Sequence, residues 1–314
     1  MKLHTVVNTY VSLRQSTGLS FREQARVLRA FCAAQGAVDI RQVRPTRVRT
    51  FLRGKGPVTS TWHGKFATLN VFYRFAISRG YVAGSPLPTV KPQQPPARAP
   101  YLYTREELQR ILESIARLHE RRRWLPKQTL HLLIVLLYAT GLRVSEALSL
   151  TLRDVDLANA VLVVQCGKFY KRRLVPIAPR LVTDLDAYVR VRRRLPLPRG
   201  EASVFFANCH GEMIGYRGLL QNFRRLCTLS GIRRDRATRQ PGLHDLRHTF
   251  AQHRLLSWYR SGADVQRLLP GLSTYLGHKD LSGTQRYLTM TPELLQEALA
   301  RFERYAFTEV EHGQ

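Results

Sequence analysis

The sequence predicts a mainly α-helical chain with one small β-sheet: an α+β unit preceded by an all-α unit. Three observations predict it. Apolar residues recur at helical spacing through most of the chain. Two short β-branched runs, VLVVQ (161–165) and RLVPI (173–177), stand close together. Between the two units lies KPQQPPARAP (91–100), whose four prolines remove amide donors and push their predecessors out of helical geometry. This stretch reads as an extended linker. The 314 residues therefore divide into a helical unit over 1–90, a linker over 91–101 and a larger unit over 102–314.

In the first unit, LSFREQARVLRAFCAAQG (19–36) carries apolar residues at helical spacing and ends on a glycine. QVRPTRVRTFL (42–52) reads as a shorter basic helix. STWHGKFATLNVFYRFAISRG (60–80) has Ser60 as a candidate N-cap, an apolar stripe and a closing Gly80. The larger unit opens on Thr104-Arg-Glu-Glu107, a capping box at a helix start. HLLIVLLYATG (131–141) follows as a buried helix closed by Gly141. The two strands, joined by CGKFYKR, form a hairpin, and LHDLRHTFAQHRLLSW (243–258) returns to helix. TPELLQEALARFERYAF (291–307) reads as an amphipathic tail helix, with Thr291 and Pro292 suited to its start.

Lys and Arg number 50 against 22 Asp and Glu, a net charge of +28. Of the basic residues 42 are Arg, as a GC-rich genome would favour, but that bias does not account for 28 unmatched charges. A surface so positive repels itself unless a polyanion neutralises it, and nucleic acid is the first such partner. The longest apolar run, Leu132 to Ala139, is far too short for a bilayer, and no N-terminal signal pattern is present. A cytoplasmic, nucleoid-associated bacterial protein with no membrane partner is expected. The cysteines, Cys32, Cys166, Cys209 and Cys227, form no C-x-x-C pair, so they support neither a zinc cluster nor a disulfide framework.

Four segments carry candidate chemistry. In TGLRVSE (140–146), Arg143 follows a helix-ending glycine, and guanidinium forks match phosphate oxygens. Glu146, three residues on, can hold that guanidinium, although such spacing is also that of a surface ion pair. In GKFYKRRLVPI (167–177), Lys168 sits in the hairpin turn, where a lysine neutralises a phosphate, protonates a leaving oxygen, or is simply solvated. HDLRH (244–248) sets two histidines four apart like half of a zinc site. The metalloprotease pattern needs Glu where Asp245 stands, and Arg247 opposes a dication, so a phosphate-binding His244/Arg247 pair is preferred. STYLGHKDLSGTQRYLTM (273–290) places His278 between Tyr275 and Tyr287. A tyrosine hydroxyl attacks phosphorus only where the transition state is neutralised around it. Arg143, Arg247, His244, His278 and Lys168 supply such groups, with no carboxylate cluster for Mg²⁺ and no Walker loop in view.

The chain resembles the tyrosine recombinase (phage integrase) family. ATGLRVSEALSLTLRDVDL is similar to its first-arginine motif, GKFYKRRLVPI to its β-hairpin lysine motif, HDLRHTFA to its His-x-x-Arg motif and YLGHKDLSGTQRY to its Leu-Gly-His element, with a tyrosine nine residues after the histidine. The four occur in family order. The first unit is similar to the family's core-binding domain in size and helical character only.

The resemblance implies a C-shaped clamp on duplex DNA and a site-specific strand exchange that needs no metal, ATP or other cofactor. On that resemblance Arg143 and Arg247 are expected to clamp the scissile phosphate, Lys168 to protonate the departing 5′ oxygen, His244 to assist proton transfer, and His278 to hydrogen-bond the phosphate. Tyr287 is the expected nucleophile, leaving a 3′-phosphotyrosyl link. Glu146 supports Arg143 and Asp245 supports the helix start. Lys171, Arg172 and Arg173 are expected DNA contacts. The expected assembly is a homotetramer on two recombination sites, or a mixed one with related recombinases, with integration, excision, resolution and transposition of a mobile element all left open by the sequence. The stretch Pro270–Thr274 departs from the family pattern, reading as a lengthened approach loop that includes Tyr275. Two rival readings share the fold: a catalytically silent DNA-binding relative, and a type IB topoisomerase that relaxes DNA without exchanging partners. A zinc hydrolase built on His244 and His248 is a third.

Overall fold

The computed structural model describes residues 1–18, 21–56, 58–94, 99–118, 124–165, 172–232, 240–278, 280, 282–285, 287–288, 296–297 and 299. Lys168, Lys171 and most of the expected tail helix (291–307) lie outside the described residues. Contacts divide the chain into two compact units, one built on Met1–Ala97 and one on Arg98–Cys166 with Lys171–Gln314.

The first unit is helical: α1 (Leu3–Ser16), α2 (Arg22–Gln35), α3 (Pro45–Arg53) and α4 (Ser60–Ser78). Helix α1 was not expected, because its polar residues interrupt the apolar stripe, yet it buries Leu3, Val6, Val7, Tyr10 and Val11. Pro45 opens α3, where a missing amide costs nothing, so the helix starts later than the expected residue 42. At α4 the cap is Thr59, whose hydroxyl accepts from Thr61 N, one residue before the expected Ser60. The core joins these helices through Leu28, Phe31, Leu69, Phe72 and Tyr73, all fully buried.

The second unit is mixed. Its helices are α5 (Arg105–Ser114), α6 (Lys127–Thr140), α7 (Val144–Ser149), α8 (Pro179–Arg192), α9 (Tyr216–Leu229), α10 (Asp245–Arg260), α11 (Val265–Leu276) and the single turn α12 (Ser282–Gln285). The capping box at α5 forms as expected: Thr104 Oγ1 accepts from Glu107 N, and Glu107 Oε2 from Thr104 N. Helix α6 is the central rod, with Leu130, Leu132, Leu133, Ile134, Leu136 and Leu137 all buried. Gly141 caps it at φ +61°, and an added Cβ there would stand 2.5 Å from Phe250 of α10. Only glycine fits both the left-handed backbone and the close approach of α10.

Three strands, β1 (Val155–Asp156), β2 (Val161–Gln165) and β3 (Arg172–Pro176), form an antiparallel sheet in that order. The first strand was not expected; two residues are too short to show alternation. In the β2–β3 register Leu162 faces Val175 and Val164 faces Arg173. Leu162, Val164 and Val175 are buried. Strand parity therefore sets Arg173 on the core-facing side.

The stretch Pro270–Thr274 is not a loop. It lies within α11, with Pro270 inside the helix. Asp264 caps this helix by accepting from Arg267 N, and Val265, Leu269, Leu272, Ser273 and Leu276 are buried along it. Burial of that face holds a helix that proline alone would weaken by about 3 kcal/mol. No helix among the described residues is long and apolar enough to cross a membrane.

Candidate active site

The site is built on the C-terminal end of α11. The last carbonyls of any helix lack intrahelical partners and carry the negative end of the helix dipole. Here three consecutive carbonyls accept from three arginines. Arg173 Nε donates to Tyr275 O at 3.1 Å, Arg247 Nη2 to Leu276 O at 2.7 Å, and Arg143 Nη2 to Gly277 O at 2.9 Å. Gly277 caps the helix at φ +68°, and an added Cβ would lie 2.8 Å from the Arg173 guanidinium. The following residue is His278.

Each arginine arrives from a different element. Arg143 sits at the N-cap of α7, between Gly141 and the helix. Arg247 lies in the first turn of α10, and its Nη1 also donates to Gly141 O at 2.8 Å, so one guanidinium joins the C-terminal ends of α6 and α11. Arg173 comes from β3. Burial first, then the charge of Arg143, pushes the Arg247 guanidinium down to about 10, which leaves it protonated at neutral pH.

Glu146 is the carboxylate among them. Its Oε1 accepts from Arg143 Nη1 at 2.7 Å and from Arg173 Nη1 at 3.0 Å; its Oε2 accepts from Arg173 Nη2 at 2.8 Å and from Arg143 N at 2.9 Å. Burial alone would raise this carboxyl, but hydrogen bonds from Arg173 and Arg143 and the charge of Arg173 outweigh it and hold the group at about 2. The expected support of Arg143 by Glu146 is therefore present, and shared. Three guanidiniums around one carboxylate leave an excess of positive charge suited to an anion.

The histidines and Tyr287 complete the cluster. The Tyr287 ring packs between His248, at 5.6 Å between ring centroids, and His278, at 6.1 Å and nearly parallel. His278 Nδ1 shares a 2.6 Å hydrogen bond with Thr284 Oγ1 of α12. Gly283 lets the ring close: a Cβ there would stand 3.1 Å from it. His244 occupies the N-cap of α10, exposed, with its ring edge-on to His248 at 4.9 Å. Asp245 Oδ2 accepts from Gly242 N at 2.9 Å, the helix-start support expected of it. Tyr287 itself is 2 % exposed.

One expected role changes. Arg173 is not a DNA-facing side chain: only 9 % of it is exposed, because β3 turns it inward onto Glu146. Arg172, its neighbour of opposite parity, is exposed. Tyr275 packs flat on Phe250 and donates its hydroxyl to Pro176 O at 3.2 Å, a packing role, and burial pushes the phenol up to about 12. Among the described residues no group of three His, Cys, Asp or Glu side chains could hold a metal ion, and His244 and His248 acquire no third ligand there. Thr284 was not singled out in the sequence, since nothing local marks it as a partner of His278. His248, weighed above only as a zinc ligand, instead flanks Tyr287.

Comparison with known proteins finds a family and several relatives. The sequence matches the model of the phage integrase family over residues 102–293. It is 34 % identical over 301 residues to the integrase/recombinase y4rB of Sinorhizobium fredii, covering 95 % of this chain and 96 % of that one. It is 33 % identical over 282 residues to the tyrosine recombinase XerC of Chlorobaculum parvum, covering 83 % and 79 %. Among solved structures, the fold is similar to the Tn1549 transposon integrase in complex with a circular intermediate DNA, with a TM-score of 0.69 at 18 % identity over 95 % of this chain and 99 % of that one. It is also similar to a lambda integrase dimer bound to a core site, with a TM-score of 0.66 at 18 % identity over 91 % and 77 %.

Proposed function

The chain belongs to the phage integrase family, the tyrosine recombinases, and from that premise we propose that Tyr287 is the nucleophile of a site-specific recombinase whose phosphate clamp is Arg143 and Arg247. The observation that carries the proposal is the anchoring of both guanidiniums on the last carbonyls before His278, in the cluster that holds Tyr287. Two fixed guanidiniums neutralise the non-bridging oxygens of a phosphodiester as charge develops on them.

In the reaction, the Tyr287 oxygen forms a bond to phosphorus while the bond to the 5′ oxygen breaks. The tyrosine proton leaves through His244 or solvent, and the 5′ oxygen takes up a proton from Lys168. The products are a 3′-phosphotyrosyl link and a 5′-hydroxyl, and reversal on a new 5′-hydroxyl rejoins the strand without an external energy source. His278, oriented by Thr284, donates to a non-bridging oxygen. Because Tyr287 is buried, the segment carrying it rearranges before its hydroxyl meets a phosphate. The cations of this scheme are side chains, so chelation of metals leaves it intact.

DNA is the partner that the net charge of +28 favours. The helical unit of residues 1–97 serves as the second DNA-holding part. Exchange on two sites calls for a multimer, as in the lambda integrase tetramer bound to a Holliday junction, and the Tn1549 integrase supports a mobile-element role. A DNA substrate nicked beside the cleavage position traps the adduct, because the short 5′ fragment diffuses away. Wild-type protein in EDTA is expected to form a covalent adduct and Tyr287→Phe none. An adduct abolished by EDTA, or retained by Tyr287→Phe, refutes the scheme.

A further inference from the structure

We propose that Arg173 is a positioning residue of the recombination reaction: it never meets DNA, but fixes Arg143 and His278 by tying Glu146 to the C-terminal end of α11. This rests on the phosphate-clamp reading above and goes beyond it by naming what holds the clamp.

The geometry is specific to Arg173. Its Nη1 and Nη2 take the two oxygens of Glu146 as a fork, and its Nε takes Tyr275 O. Both edges of the guanidinium are thus committed to protein, with 9 % of the side chain exposed. A fork of this kind needs the planar, five-donor guanidinium and cannot be made by an ammonium. Glu146 in turn holds Arg143 through Nη1 and the backbone N, and Arg143 reaches Gly277 O. The hydrogen bonds therefore close a ring: β3 to α7, α7 to the end of α11, and α11 back to β3.

Gly277 is fitted to this ring. A Cβ there would fall within 2.9 Å of both Nη1 and Cζ of Arg173, so the guanidinium lies flat against the backbone that leads into His278. Remove Arg173, and two things follow. Glu146 loses its second cation and pairs more fully with Arg143, weakening that guanidinium's hold on a phosphate. The α11 terminus loses one of its three arginine anchors, and the residue next to it is His278.

The test uses the full-length protein, the nicked substrate and a twin in which one non-bridging oxygen of the scissile phosphate is a methyl group. The twin is neutral, so its transition state carries less charge for a clamp to neutralise. Wild type, Arg173→Lys and Arg173→Met are compared in single-turnover cleavage and in DNA binding against salt. On the normal substrate Arg173→Lys is expected to slow cleavage about 10-fold and Arg173→Met about 30-fold, less than the 100-fold or more of a direct oxyanion donor. On the methyl twin both variants come within about 3-fold of wild type, because the clamp matters less there. The salt slope of binding stays that of wild type.

A variant that is merely misfolded in part loses the same factor on both substrates, and that outcome overturns the proposal. So does unchanged cleavage, or a salt slope reduced by about one, which identifies a phosphate contact instead. Absence of a Tyr287-dependent adduct in wild type itself is a different failure, that of the proposed function.

Discussion

Replacing Glu146 by Gln removes one charge from the centre of the site and little else. The side chain is 10 % exposed and holds two guanidiniums. Folding lowers its carboxyl from 4.5 to about 2. At 1.36 kcal/mol per pH unit, that difference corresponds to about 3 kcal/mol of stability at neutral pH. The cost of breaking a buried ion pair from one side, about 3–5 kcal/mol, brackets the same size. Because the folded value is depressed, the contribution is fully present above pH 4.5 and is lost as pH falls toward 2. At pH 3 less than half of it remains.

The assay is thermal or urea unfolding of wild type and Glu146→Gln from pH 7 to pH 3. At neutral pH the variant is expected to melt roughly 6–12 °C lower, for a unit of this size. The gap should hold down to about pH 5 and then close. A gap of under about 1 kcal/mol at pH 7, or one that does not narrow with acid, refutes the reasoning that Glu146 is held ionised by Arg173 and Arg143.

Gly141→Ala places a Cβ 2.5 Å from Phe250 and 2.9 Å from Leu276 at φ +61°, and is expected to cost about 2–4 kcal/mol in unfolding experiments. Its counterpart Gly271→Ala, with nothing within 4 Å of the added atom in α11, should instead gain up to about 1 kcal/mol. Thr284→Val removes the 2.6 Å partner of His278 and should slow single-turnover cleavage about 10-fold with DNA affinity retained. Tyr275→Phe should form the covalent adduct at near wild-type rate, losing only the bond to Pro176 O, worth about 1 kcal/mol at most in a melt.

The site was legible in the sequence to the extent that its chemistry is local. Arg143 and Glu146 stand three apart on one turn, and Gly141 announces the helix end before them. What stayed hidden was long-range. That the end of α11 gathers Arg143, Arg173 and Arg247 depends on pairings across 134, 102 and 29 residues, which no local pattern encodes. Arg173 is a middle case. Its parity with Val175 on β3 marks it as inward-facing, but a run of Lys171, Arg172 and Arg173 reads first as a set of DNA contacts. The proline of α11 misled in the other direction, because local propensity argues for a break where a buried face sustains a helix. Helix α1 and the two-residue β1 went unread for a related reason: packing, not periodicity, makes them.

The central claim is that Tyr287 carries the DNA. Digesting the trapped adduct with nuclease and trypsin and sequencing the nucleotide-bearing peptide by mass spectrometry tests it directly. The phosphonucleotide is predicted on the peptide that begins at Tyr287 and runs to Arg301. A modification on the peptide Leu268–Lys279, which holds Tyr275, would contradict it.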